Sequence, residues 1–190
     1  MLNFHRINSV SDPFFDSLFN LYALAFPPAE RRSWGSLEYE LMYEKRFYAY
    51  ALILDDKYVG FINYWIFDQF FYIEHFAVVP YLRGKHIGTE AMQMILSQTK
   101  LPVILEVEMP NNTNSIRRIK FYERLGFTVL SHNYAQPPYE NGGFLLPILI
   151  MSNNNHFANT HFDLIKDTLY DKVYHYEIEK EPQSQEDEMN

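Results

Sequence analysis

No cysteine occurs among the 190 residues, so there is no disulfide framework and no thiol to carry a covalent acyl intermediate. No apolar run approaches the roughly 18 residues of a membrane-spanning helix. The N-terminal MLNFHRINSV has no apolar signal-peptide core. A soluble cytoplasmic protein with no membrane partner is the expectation. Basic residues are few: 16 Lys and Arg stand against 24 Asp and Glu, a formal charge of −8. Residues 177–190 hold six acids and one lysine, a net −5, which leaves −3 for the rest. That balance argues against nucleic-acid binding, which needs a basic face, and it favours a cationic second substrate. The phosphate-loop patterns GxxxxGK[ST] and GxGxxG are both missing.

What is present is a chain long enough for one sizeable core, 47% hydrophobic, with 16 Phe and 15 Tyr. It is organised around residues 70–99, FFYIEHFAVVPYLRGKHIGTEAMQMILSQT. Residues 70–79 are aromatic and β-branched, as a strand requires, and Pro80 stops the ladder. Arg83-Gly84-Lys85-His86-Ile87-Gly88 follows. From Ile87 the apolar residues Ile87, Ala91, Met94 and Ile95 recur at helical spacing. A strand, a basic glycine-containing turn and a helix start together form a phosphate site, because free N–H groups point out beside fixed positive charge.

Along the rest of the chain, 2–7 reads as a strand, and Ser11-Asp12-Pro13 opens a helix ended by Pro27-Pro28. Ser33 caps a second helix carrying Trp34, Leu37 and Leu41. Strands are expected at 47–54, 58–67, 103–109, 127–133 and 144–151, with loops between, including the turn-rich 136–143. A helix is expected over 115–125, ended by Gly126. Phe162, Ile165, Leu169, Val173 and Tyr176 form one stripe of a C-terminal helix, which packs on the domain or mediates a homodimer. Residues 180–190 have the composition of a disordered acidic tail.

Two segments carry a family likeness. Val78-Val79-Pro80 followed by Arg83-x-x-His86-x-Gly88 resembles the [QR]-x-x-G-x-[GA] coenzyme-A loop of the GNAT superfamily of acyl-CoA-dependent N-acetyltransferases. His86 stands where that family usually has glycine. Phe121-Tyr122-Glu123-Arg124-Leu125-Gly126-Phe127 resembles its FYE+LGF segment, and the two together are a stronger signal than either alone. The likeness covers about residues 2–151 and the element order is that of the GNAT fold. That fold is α/β (α+β in some schemes): a mixed sheet of about seven strands flanked by about four helices. Here a C-terminal helix is added. The expected division is a catalytic domain at 1–152, the amphipathic helix at 153–179 and the tail at 180–190.

The resemblance implies acetyl transfer from acetyl-CoA to a primary amine by direct attack in a ternary complex, with no metal. It places the pantetheine arm on Ala77, Val78 and Val79, and the pyrophosphate on Arg83, Gly84, Lys85, His86, Ile87, Gly88 and Thr89. The family's asparagine seven residues before the tyrosine is Ser115 here, and Asn114 is the neighbouring candidate for a cofactor contact. Tyr122 is the expected proton donor to the leaving sulfur. Glu74 in the fourth strand is the preferred base and Glu106 in the fifth is the second candidate; either can act through a water. His75 is expected to pack on the opposite strand face. The acceptor site is expected from residues 27–34, the strands near Tyr64 and the 136–143 loop, with Tyr134 and Tyr139 as lining candidates. The alternative reading is a non-catalytic CoA-binding or interaction module of the same fold.

Overall fold

The computed structural model describes residues 1–140 and 142–176. The proposed acidic tail lies outside the described residues. Eight strands form one sheet in the order β1-β2-β3-β4-β5-β8-β6, with β7 paired to β8. They are β1 (Leu2–Ile7), β2 (Phe47–Leu54), β3 (Lys57–Ile66), β4 (Phe71–Val78), β5 (Val103–Glu108), β6 (Thr128–Val129), β7 (Tyr134–Gln136) and β8 (Leu146–Ser152). The helices are α1 (Phe15–Ala25), α2 (Trp34–Tyr43), α3 (Ile87–Gln98), α4 (Thr113–Glu123), α5 (Asn155–Thr160) and α6 (Phe162–Thr168). Among the described residues no helix is long and apolar enough to cross a membrane.

The sheet separates two apolar cores. One holds Phe15, Leu18, Tyr22 and Leu37 of α1 and α2 with Ile165, Leu169 and Val173 of the C-terminal segment. The other holds Ile87, Ala91, Met92 and Ile95 of α3 with Ile119 and Tyr122 of α4. Alternation along β2, β3 and β4 feeds both, since successive side chains point to opposite faces.

The sheet is antiparallel except where β4 meets β5. There the strands run parallel and pair only from Phe71↔Val103 to Ile73↔Leu105. Beyond Ile73 they part. A register shift between Asn63 and Tyr64 of β3 leaves Glu74 as the extra residue, a bulge. Tyr72 lies in the α1/α2 core and Ile73 in the α3/α4 core, but Glu74 and His75 then both face the α1/α2 side. The expectation that His75 sits on the opposite face from Glu74 is therefore wrong, because the bulge cancels one step of the alternation. Gly60 fits β3 tightly to β4: a Cβ there would lie 2.4 Å from the Ala77 carbonyl oxygen.

Other boundaries differ from the sequence reading for local reasons. Helix α4 starts at Thr113, because the Asn112 side chain accepts from the N–H groups of Asn114 and Ser115 while Ser115 Oγ accepts from the Asn112 N–H. The stretch read as a strand at 127–133 followed by a loop is instead two short strands, β6 and β7, both hydrogen-bonded to β8. The C-terminal segment is not one helix. It breaks at His161 and widens into a π-turn over Leu169–Val173. Its stripe Phe162, Ile165, Leu169 and Val173 is buried in this chain's own core, and Tyr176 is half-buried against it.

Candidate active site

The parting of β4 and β5 opens a cleft lined by Glu74 and His75 on one strand and Glu106, Val107 and Glu108 on the other. Phe26 and Glu30 close it from the α1–α2 connection, Gln136, Tyr139 and Ile148 from the β7–β8 side, and Arg118 from α4. Both carboxylates singled out in the sequence therefore meet in one place, but their surroundings differ sharply.

Glu74 is locked. Its side chain is fully buried, so the exposed part of the residue is backbone facing the gap. Arg32 Nε donates to its Oε1 at 3.0 Å and Trp65 Nε1 donates to its Oε2 at 2.7 Å. Burial alone would raise its pKa, but the Arg32 guanidinium, His75 and the indole N–H outweigh it and hold the carboxyl below its usual range. Arg32 itself is 2% exposed and spends its remaining donors on Glu40 at 2.8 Å and the Val173 carbonyl at 2.6 Å. Its guanidinium lies 5.0 Å from the Tyr139 ring centroid. His75 is pushed down by burial, so it is neutral at pH 7, and its Nε2 donates to the Glu30 carbonyl at 2.9 Å.

Removing Arg32 leaves two buried carboxylates, Glu74 and Glu40, without their cation. We expect Arg32→Met to lower stability by about 3–5 kcal/mol, the usual result of breaking a buried pair from one side. Urea unfolding at pH 7 measures this, and a loss under about 1 kcal/mol contradicts the assignment.

Glu106 is poised instead. No cation pairs with it among the described residues. Tyr72 donates to Oε2 at 3.0 Å, Tyr174 donates to the same oxygen at 2.5 Å, and Tyr134 donates to Oε1. Burial pushes its pKa up, the three hydroxyls pull it down, and the balance is about 7. Tyr134 and Tyr139 both reach the cleft region, as expected. Tyr64 does not: it stacks with Tyr48 and Tyr50 on the α3/α4 face.

The loop before α3 is shaped for close approach. Gly84 has φ +78° and His86 has φ +62°, both left-handed. His86 therefore takes the backbone conformation glycine would supply, at a cost histidine bears better than most residues. Arg83, Gly84, Lys85 and His86 are exposed, Gly88 and Thr89 half-buried and Ile87 buried, with Arg83 Nε held by the Val78 carbonyl at 3.2 Å. The first-turn N–H groups of α3, those of Ile87, Gly88 and Thr89, have no helical acceptor. On β4, Ala77 and Val78 pair with β3 alone, and on the edge toward β5 no strand pairs with them, the Val78 carbonyl there holding Arg83. Val79 N–H is spent on the Val59 carbonyl.

Tyr122 is 7% exposed on α4, between the rings of Phe121 and Phe127. Burial pushes its pKa to about 12, against a small opposing pull from Arg118, so it is protonated at neutral pH. Asn114 sits at the second helical position with its side chain exposed, while Asn112 does the capping. The sequence reading missed Arg32, Tyr72 and Tyr174. None carries a motif: each is recruited by a contact distant in sequence.

The Acetyltransferase (GNAT) family model matches residues 15–127. A solved structure from Bacteroides thetaiotaomicron, described as a GNAT-family acetyltransferase, is 35% identical over 92% of this chain and 99% of its own, with a TM-score of 0.86. A GNAT-family acetyltransferase from Elizabethkingia anophelis with acetyl-CoA bound is 14% identical, covering 80% of this chain and 96% of its own at a TM-score of 0.56. The ribosomal-protein-S18-alanine N-acetyltransferase from Escherichia coli is 18% identical, covering 80% and 92%, with a TM-score of 0.58. No curated protein matches. The fold and the family match define a GNAT-class acyltransferase. This chain belongs to the GNAT acetyltransferase family.

Proposed function

We propose that the protein transfers an acetyl group from acetyl-CoA to a primary amine, with Glu106 as the general base and Tyr122 as the proton donor to the departing sulfur. The observation that carries this reading is Glu106: a carboxyl without a cation partner, on a cleft, balanced at a pKa of about 7. A base is most effective near the working pH, and an alkyl ammonium of pKa about 10 must lose its proton before it can attack. A new C–N bond forms to the acetyl carbon as its C–S bond breaks. The proton leaving nitrogen goes to Glu106, directly or through one water. The departing thiolate accepts a hydrogen bond from the Tyr122 hydroxyl, any proton it takes there being returned to Tyr122 from solvent as CoA leaves.

Glu74 is then a structural carboxylate, because its charge is already committed to Arg32 and Trp65. The residues of the loop fit a pyrophosphate: Arg83, Gly84, Lys85, His86, Ile87, Gly88 and Thr89 supply exposed charge, two left-handed backbone positions and free N–H groups. The open edge at Ala77 and Val78 suits the pantetheine arm, Val79 closes that end of the strand, and Asn114 at the start of α4 is the further candidate contact. The acceptor, a small-molecule or protein amine, enters between Glu30 and Gln136. The domain is assigned to residues 1–152, with 153–179 as an added segment and a cytoplasmic location.

A thiol-release assay over a panel of primary amines tests this, with acetyl-CoA binding measured in parallel. Turnover of at least one amine is expected. Tight acetyl-CoA binding with no turnover of any amine supports the non-catalytic module instead. The loop assignment has its own test. A Cβ at Gly88 would lie 3.6 Å from the rings of Phe121 and Phe76, ordinary contact, so alanine fits there while the branches of valine crowd the helix start. Gly88→Val should weaken acetyl-CoA binding by about tenfold or more in calorimetry, with Gly88→Ala much milder. Equal affinity for wild type and the valine variant removes the loop from the binding site.

A further inference from the structure

The C-terminal segment, beyond the family match, reaches the carboxylate of Glu106, a residue that lines the cleft. Tyr174 directly follows the π-turn, 47 residues past the end of the matched region at 127. Its ring is 5% exposed and packs tilted against that of Tyr139, with centroids 5.0 Å apart. Its hydroxyl donates to Glu106 Oε2 and lies 3.2 Å from the Tyr72 hydroxyl. The residue before it, Val173, accepts from Arg32 through its carbonyl, and Tyr170 donates to the Ala135 carbonyl of β7 at 2.6 Å. One short segment thus ties together both strands of the cleft, the α1–α2 connection and β7.

We propose that Tyr174 is a positioning residue for the base, so that the C-terminal segment completes the active site rather than only covering the core. This rests on the role given to Glu106 above. A carboxylate offers about four acceptor sites. Tyr72 and Tyr174 occupy both sites of Oε2, and Tyr134 takes one of Oε1. The remaining site is on Oε1, and that is the atom that receives the proton from the amine. Tyr174 acts by filling Oε2, which fixes the carboxylate plane and leaves a single direction for proton transfer.

The groups facing Glu106 are Tyr72 and Glu74 from β4, Tyr134 from β7 and Tyr174 from the C-terminal segment. Three donate and one, Glu74, repels. Taking away one donor destabilises the ionised form, so the sign of the effect is fixed: the carboxyl titrates at higher pH.

The test is the pH profile of kcat/KM for wild type, Tyr174→Phe and Glu106→Gln in the full chain. Tyr174→Phe should move the acidic limb up by roughly one pH unit, the worth of one hydrogen bond to a charged group. KM for acetyl-CoA should not change. If Glu106→Gln is inactive and the Tyr174→Phe limb coincides with wild type, the positioning role is overturned while the base assignment stands. If Glu106→Gln keeps the wild-type rate, both are overturned. Should Tyr174→Phe fail to fold, 3-fluorotyrosine at position 174 keeps ring and hydroxyl but donates more strongly. It should move the limb downward, and an unmoved limb overturns the proposal in the same way.

Discussion

Glu106→Gln is expected to lower kcat by about 10²–10⁴-fold, the usual span for loss of a general base, with acetyl-CoA affinity unchanged. The amide keeps the shape of the side chain and its one oxygen still accepts from the tyrosines on that side, but its NH2 is a donor and it cannot take a proton. Glu74→Gln should cost less in rate and more in stability, since that carboxylate is bound to Arg32 and Trp65. The reverse order would return the base to β4. Stability supplies a second readout with a defined sign. The Glu106 carboxyl titrates near 7 in the folded chain against an ordinary 4.5. Between those values the folded state holds a proton that the unfolded state has released, so the stability due to this group falls as pH rises through that window. The difference in Tm, Glu106→Gln minus wild type, should therefore become more positive from pH 5 to pH 8. A flat difference means the carboxyl is not shifted.

Tyr122→Phe carries the second large effect. The phenol is protonated at any neutral pH, because burial has pushed its pKa to about 12. Among the described residues its hydroxyl has no hydrogen-bond partner, although the ring is 7% exposed and held between Phe121 and Phe127. A thiolate whose parent thiol has a pKa of about 8.5 is a poor leaving group in a site without a donor. If Tyr122 serves it, kcat should fall by about 10²–10⁴-fold. Acetyl-CoA affinity and Tm should hold, because the interaction matures only in the transition state. If the residue only packs against Ile119 and Phe127, phenylalanine will be nearly silent in rate, and α4 then holds no donor for the sulfur.

Much of the architecture was legible because it depends on local pattern. The aromatic and β-branched runs gave β2 its bounds, Ser33 capped α2, and Gly126 ended α4 with φ +88°. The loop and the FYERLGF segment were legible because both resemble motifs of the GNAT family, to which the family match assigns the chain. The bulge at Glu74 was not legible. A strict period of two cannot announce the one residue that breaks it, and that residue decides that Glu74 turns to Arg32. Arg32 was invisible for a related reason: its partners lie 42 and 141 positions away, and nothing local marks an arginine that will be buried. Tyr174 and Tyr72 were hidden among 15 tyrosines, any of which could pack in the same way. Ranking Glu74 above Glu106 rests on the family resemblance, which places a glutamate at that point of the fourth strand. The reverse order is our proposal, because Glu74 is neutralised by a cation and Glu106 is tuned by neutral donors.

A crystal structure with acetyl-CoA bound tests the central claim most directly. It should place the pyrophosphate on the N–H groups of residues 83–89, the pantetheine along the open edge of β4, the sulfur within hydrogen-bond reach of the Tyr122 hydroxyl, and the acetyl carbon on the Glu106 side of the cleft. Acetyl-CoA bound away from the parting of β4 and β5, or a sulfur remote from Tyr122 with the thioester turned from Glu106, would contradict the account.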